Sequence, residues 1–418
     1  MKYYRFPENR RVTLLIGAFL FAMLYLARDT LVTSSILGFN KSQYLMLGLI
    51  VAAGGIFLVY NRRSLRDIVL DGRMLVILAA TAIVLLPMLV KRDWQRMYFS
   101  ILICICFAVF LSYFLSYREA AKYYVSILSV LGIWSILALW VLRPLLVDTG
   151  IGMPPVFENQ LGVVFYNFGL AFVSDSYVKT RNFGIFREPG VYQYFLILAL
   201  YLNHFTVQWK HQRTLWLHNL ILAATMLTTL STAGVAALAL LAVVVFFEKK
   251  LYRNKWVWLG ILVIAIVLAV IVAVIVAQQG ELYWELYSMV LGKFQPGEDS
   301  AVERLDAVFA DLRIFLRHPL VGDKLSEVLY SAANNTTSTL ILYAGLGILG
   351  GTLNVAAWIA LVWERERKIW FNLAGLAVLF LSFNTQNLIA DVFFWLFPMM
   401  ALTERVLPKW KQGKTREP

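Results

Sequence analysis

The chain has 418 residues, 60% hydrophobic and 15% charged, with a mean hydropathy of +0.69. Apolar runs recur along its whole length, which excludes a soluble domain and points to a polytopic membrane protein read as one integral membrane domain, 1–418. The formal net charge of +13 comes mostly from short basic segments between those runs, which complement anionic lipid headgroups and lend nothing to a nucleic-acid partner.

A helix needs roughly 20 apolar residues to span a hydrocarbon core of about 30 Å. Twelve runs are predicted as such helices, near 12–27, 44–60, 74–90, 97–116, 123–142, 191–207, 215–230, 233–247, 256–277, 339–363, 369–383 and 392–403. The shorter ones are accommodated by tilt or local thinning. With the N-terminus inside, the inner segments hold 24 Lys and Arg in 65 positions and the outer segments 14 in 139. This bias puts both termini in the cytoplasm.

The first run follows Arg10-Arg11 but reads as an uncleaved helix, because a cut after Ala27 would leave bulky Tyr25 at the −3 position. Cys104 and Cys106, two apart on one helix, fall on different faces and have no expected disulfide or metal role.

Residues 143–190 form the first large outer loop. An amphiphilic stretch, Leu161 to Val173, is predicted to lie in the interface or form a short membrane hairpin. After it come Lys179, Arg181, Arg187 and Glu188, and Pro189-Gly190 opens the next helix. Arginine pairs bidentately with phosphate and stays charged, so Arg181 and Arg187 suit a diphosphate clamp. Solvated loop charges or a local Arg187–Glu188 pair are the plainer reading.

His204, His211 and His218, seven apart, read as an interfacial helical stripe without metal-ligand spacing. Residues 215–247 must go out and return within 33 positions, so the turn Ser231-Thr232-Ala233-Gly234 is predicted to sit below the outer surface and line a cavity.

The second outer loop, 278–338, contains an amphipathic helix over 301–317 that opens on the capping box Ser300-Ala-Val-Glu303. Its apolar side, which includes Val302, Leu305, Phe309, Leu312 and Leu316, is expected to dock on the protein's outer mouth or lie on the membrane surface. Arg304 and Asp311 share one edge of that side, and Arg313 takes the other. Arg317, His318 and Pro319 end the helix. Asn334, Asn335 and the following hydroxyls suit sugar hydroxyls or a helix N-cap, as do Asn384, Gln386, Asn387 and Asp391 in the last outer turn. Gly347 and Gly351 have a spacing that permits close helix contact. The tail 404–418 is basic and cytoplasmic.

No inner segment exceeds 15 residues and no phosphate-binding G-x-x-x-x-G-K-S/T occurs, which excludes ATP-driven transport by this chain alone. Chemistry then belongs to the membrane or its outer face, where activated donors are lipid-linked.

Four features in order, Arg181-x-x-Gly184-x-Phe186-x-Glu188-Pro189, Leu230-Ser231-Thr232-x-Gly234, Arg304 with His318-Pro319-Leu320-x-Gly322, and Asn335 with Tyr343-x-Gly345-x-Gly347-x-x-Gly350, make residues 174–351 resemble the bacterial O-antigen polymerase and O-antigen ligase superfamily. The resemblance implies an all-α polytopic membrane protein with a GT-C-like glycosyltransferase architecture in the bacterial cytoplasmic membrane. It implies inverting, metal-independent and cofactor-free transfer between undecaprenyl-diphosphate-linked oligosaccharides, with a flippase and a chain-length regulator as partners.

The expected catalytic residues are Arg181, Arg187, Arg304 and Glu188, the last as general base or as a group orienting Arg187. Lys179, Arg313, Arg317, His318, Asn334 and Asn335 are expected to bind substrate. Superfamily ligases carry His-Asn where this chain has Asn334-Asn335, and Ser-Arg-Gly where it has Ser-Thr-Ala-Gly, which favours a polymerase over a ligase. A lipid-oligosaccharide flippase, a secondary transporter or a non-catalytic scaffold are the competing readings.

Overall fold

The computed structural model describes residues 10–61, 72–152, 154–158, 162–175, 180–278, 300–332 and 335–406. Each of the twelve apolar runs is helical over most of its length. In chain order the helices are α1 (Arg10–Tyr25), α2 (Phe39–Asn61), α3 (Gly72–Lys91), α4 (Arg96–Leu111), α5 (Tyr117–Leu137, continued by wider turns to Asp148), α6 (Pro189–Phe205), α7 (Gln212–Thr228), α8 (Thr232–Glu248), α9 (Lys255–Gln278), α10 (Ser300–Arg317), α11 (Leu325–Leu329), α12 (Ser338–Val362), α13 (Ile369–Phe383) and α14 (Val392–Val406). Among the described residues, α3, α5 with its continuation, and α12 are long and apolar enough to cross a membrane.

The centre is α6, with α14 beside α4 and α12. Residues 191–202 of α6 are buried all round, as are 392–401 of α14, the pattern of a helix surrounded by protein. Apolar contact alone gives helices little reason to associate in lipid, so packing shape and polar bonds must do so. Here the shape is aromatic: Tyr124 stacks on Phe393 with centroids 5.2 Å apart and Trp358 on Phe383 at 4.6 Å. The polar bonds join helices: Gln193 donates to the Ser382 carbonyl at 2.9 Å, Tyr124 to the Phe195 carbonyl at 3.1 Å, and Tyr194 to the Phe393 carbonyl at 3.2 Å. At the far end of α6, Arg367 pairs with Glu248 at 3.0 Å and lies over the Phe205 ring. Cys104 is a core residue and both cysteines are free thiols.

The fold is mostly helical, and beside the helices β1 (Val156–Glu158), β2 (Val164–Asn167) and β3 (Phe172–Ser174) add a short antiparallel sheet in the order β1-β2-β3. It occupies the stretch read as an interfacial segment. The cause is local: Asn167 accepts from the Gly169 N–H at 2.8 Å, Gly169 takes φ +81°, and a tight turn follows. Phe157 then stacks on Phe165. The histidines share no helical stripe, since residues 206–211 are not helical; His218 bonds Ser129 at 2.7 Å and stacks on Trp209.

The turn before α8, Thr229–Ser231, packs against the end of the 143–190 loop. Arg181 donates from Nε to the Thr229 carbonyl at 3.1 Å, and the Asn182 N–H to the Thr228 carbonyl at 2.9 Å.

In α12, Gly347 breaks the helix, and Gly345 lets Leu325 of α11 come close. Gly347 is non-helical (φ 67°, ψ −167°), which would orphan backbone groups on either side. The loop after α10 satisfies them: the Ile348 N–H donates to the Pro319 carbonyl at 2.8 Å, and the Asp323 N–H to the Ala344 carbonyl at 2.7 Å. Such close contact requires bare backbone. A Cβ on Gly347 would lie 2.4 Å from the Leu320 carbonyl oxygen, and one on Gly322 would lie 2.6 Å from the Gly347 nitrogen. This is the structural meaning of Pro319-Leu-Val-Gly322 and Gly345-x-Gly347.

Gly347→Ala should therefore lose at least about 2 kcal/mol, from the left-handed φ together with the backbone clash, and lower the melting temperature in detergent. Gly260→Ala, in α9 with open space around it, is the matched control and should melt at or slightly above wild type. Equal melting of the two would refute this account of the break.

Candidate functional site

The site begins with backbone pairing. The Leu31 N–H donates to the Ile185 carbonyl at 2.9 Å and the Arg187 N–H to the Asp29 carbonyl at 3.0 Å, with Thr30 and Phe186 bridged antiparallel between them. The short segment after α1 is thereby fixed along the end of the first outer loop. Arg187 Nε then lies 2.8 Å from Asp29 Oδ1 and its Nη1 lies 2.9 Å from Glu188 Oε1. Burial works against the guanidinium's charge, but the two carboxylates outweigh it and hold its pKa above the ordinary value.

Glu188 is the extended N-cap residue of α6 and Pro189 its first residue, where a missing N–H costs nothing. Gly190 lets the last outer turn come close, because a Cβ there would lie 2.5 Å from Gln386 Nε2.

These elements wall a cavity of about 530 Å³. Arg28, Asp29 and Ser34 contribute from the segment after α1, Arg187 and Glu188 from the loop before α6, and Gln386 and Asn387 from the turn between α13 and α14. The second large loop supplies Arg304, Leu329, Tyr330, Ala332, Asn335 and Thr336. Arg304, in the first turns of α10, is exposed and makes no ion pair among the described residues. Three buried atoms of lining residues, Asp29 Oδ2, Thr336 Oγ1 and Asn387 Oδ1, have no hydrogen-bond partner among the described residues. Buried polar atoms rarely stay unpaired, so this wall is equipped to bond hydroxyls brought by solvent or a ligand.

The second-loop wall is held by Asp311. Its buried carboxylate accepts from Asn335 Nδ2 at 2.8 Å, Thr337 Oγ1 at 2.9 Å and Ser331 Oγ at 3.4 Å. Burial pushes its pKa up to about 6 despite those bonds. Behind the cavity, Asp391 accepts from the Phe393 N–H at 2.8 Å at the start of α14. Burial, with the Asp29 carboxylate adding to it, raises the Asp391 pKa.

Of the residues singled out from the sequence, the structure brings Arg187, Glu188, Arg304 and Asn335 together, with Gln386 and Asn387. It does not bring Arg181, which supports the turn before α8. Arg313 and Arg317 are exposed on α10 away from the cavity, and His318 pairs with Asp323 at 3.3 Å. Lys179 and Asn334 lie outside the described residues. Of the cluster Asn334 to Ser338 read as suiting sugar hydroxyls, Asn335 and Thr336 line the cavity, whereas sequence reasoning missed Arg28 and Asp29. The available signal was an adjacent Arg28-Asp29 pair directly after an apolar run, an expensive place for charge unless it is paired.

A second cavity, of about 400 Å³, is lined by His204, Gln208, Trp209, Trp216 and Lys249 among others. It lies at the other end of α6, about 24 Å away at 1.5 Å per residue.

The Asp311 pKa gives a test. A folded-state pKa of about 6 against an ordinary 3.8 means the folded chain holds this proton more tightly. The stability this contributes is full below about pH 4 and lost as pH rises through 6, by something on the order of 3 kcal/mol. Asp311→Asn should remove that component. Melting curves of both proteins from pH 4 to 7.5 measure it; parallel profiles would reject it. No family model, no curated protein and no solved structure matches the chain.

Proposed function

We propose that this protein polymerises undecaprenyl-diphosphate-linked oligosaccharide repeat units at the outer face of the bacterial cytoplasmic membrane. It would build O-antigen, capsule or exopolysaccharide by metal-independent inverting transfer. The observation that carries the reading is convergence. All thirteen residues lining the cavity come from the four segments 28–43, 143–190, 278–338 and 384–391, each of which charge counting assigns to the outer side. This agreement also supports twelve crossings with both termini cytoplasmic.

Arg28, Arg187 and Arg304 bring positive charge to the cavity from three segments and are the groups that hold the donor's diphosphate. Charge grows on that diphosphate as the glycosidic bond to it breaks, which is where fixed cations stabilise most. Glu188 and Asp29 are the carboxylates within the cavity able to accept the acceptor hydroxyl's proton. Both touch Arg187, so each also serves to aim it. The unpartnered Asp29, Thr336 and Asn387 oxygens suit sugar hydroxyls. Arg181 leaves the clamp proposed from sequence and becomes a support for it.

The test is reconstitution in lipid with the cognate lipid-linked repeat unit and no nucleotide sugar, products being resolved by gel and mass spectrometry. A ladder in whole-repeat increments is expected, and unchanged substrate with folded protein would overturn the proposal. Arg304→Ala should reduce chain growth at least about 100-fold at unchanged melting temperature, the magnitude typical of losing one preorganised electrostatic contact. Arg181→Ala should lower the melting temperature and retain measurable growth. Full activity of Arg304→Ala would remove that residue from the clamp.

A further inference from the structure

Helix α10 has three different sides. Ala307 and Asp311 are buried against the protein, and Phe315 packs edge-on to Tyr343 of α12 at 5.3 Å. Asp306, Arg313 and Arg317 form an exposed charged side. Val302, Leu305, Phe309, Leu312 and Leu316, spaced alternately three and four apart, form a third side whose members are 38–66% exposed. The apolar stripe therefore points away from the protein core, opposite to docking by that face. Five large side chains in one row exceed the scattered apolar exposure expected of a surface in water.

What covers the stripe follows from where it leads. Past Leu316 it continues to Leu320, 74% exposed, whose neighbour Pro319 is bonded to Ile348 of α12; Ile348 and Leu349 are exposed too. Asp323, three residues on, pairs with Lys91 at 3.3 Å at the end of α3, where Leu89 and Val90 are exposed. Both α3 and α12 are long and apolar enough to cross a membrane. The stripe thus leads towards exposed apolar side chains on two such helices, and one apolar medium suits both.

We propose that α10 is an in-plane membrane helix, its apolar side sunk among acyl chains and its charged side at the phospholipid headgroups. Arg313 and Arg317 are then lipid-phosphate ligands, a role distinct from substrate binding. Because Arg304 and Asp311 sit on the same helix, the bilayer itself supports one wall of the cavity. This inference concerns the membrane and holds whatever reaction the cavity performs.

Site-directed spin labelling tests it on the full chain in nanodiscs of phosphatidylethanolamine and phosphatidylglycerol. Labels go one at a time at Leu305→Cys, Phe309→Cys and Leu316→Cys, and at Asp306→Cys, Arg313→Cys and Arg317→Cys, in a Cys104→Ala, Cys106→Ala background. Should that background not fold, the native cysteines are kept and their signal subtracted. Stripe labels should collide with oxygen, which partitions into lipid, several-fold more than with a water-soluble nickel chelate, and the charged-side labels should show the reverse. Equal access of nickel to both sets would place the stripe in water. Protection of the stripe from both reagents would mean that protein covers it, such as a second copy of the chain. Either result overturns the proposal.

Discussion

The geometry of the cavity depends on one pairing, Arg187 with Asp29. The two residues are 158 positions apart and meet because backbone bonds zip residues 29–31 to 185–187. The Asp29 side chain is 5% exposed and that of Arg187 33%. A carboxylate that deep is costly without a partner, and removing one member of such a pair usually costs more than the pair contributes net. Its value lies in position. One guanidinium held by two carboxylates cannot swing, so a cationic group is presented to the cavity in a fixed orientation, which is what electrostatic preorganisation requires.

The opposite wall solves another problem, that of placing irregular backbone beside a helix able to cross a membrane. A broken helix exposes N–H and C=O groups, which is tolerable only when other groups satisfy them. In this chain the loop from Pro319 to Asp323 supplies one acceptor and one donor at the break around Gly347. The exchange locks α10 and α12 together, and Asp311 repeats the lock higher up through Asn335 and Thr337. Arg304 is therefore borne on a helix fixed at two levels.

How much of this could be read in the sequence depended on the range of the interactions. Helices depend on local hydrophobicity and length, and all twelve apolar runs are helical. The capping box at Ser300 likewise precedes a helix starting at that residue. Arg187, Glu188 and Arg304 stood out because charge is conspicuous in an apolar chain, but sequence could not separate them from Arg181, Arg313 and Arg317. That distinction rests on which carbonyl or carboxylate each guanidinium reaches, a matter of tertiary contact. Asp29 was missed for the same reason. The sheet at 156–174 was missed because strands of three and four residues carry too little alternation to be told from an amphiphilic segment. Sequence left open whether the apolar side of α10 meets the protein or the membrane surface, because in a membrane protein the apolar face of a helix need not be the buried one.

The charge balance of the cavity bears on how it could work. Arg28, Arg187 and Arg304 face Asp29 and Glu188, a formal surplus of one positive charge. Three arginines without carboxylates would hold a diphosphate in all states, and uniform tight binding does not speed a reaction. Two carboxylates on Arg187 temper its pull on the ground state and keep its direction. In the proposed transfer, as charge built on a departing diphosphate, an aimed guanidinium would gain more than a diffuse positive field, since direction matters most where charge is localised. Arg304, which makes no ion pair among the described residues and is carried on a separate helix, would meet the same anion in the proposed reaction. A cation tempered by carboxylates and a second one on a separate helix would suit a leaving group that must be held during transfer and released after it.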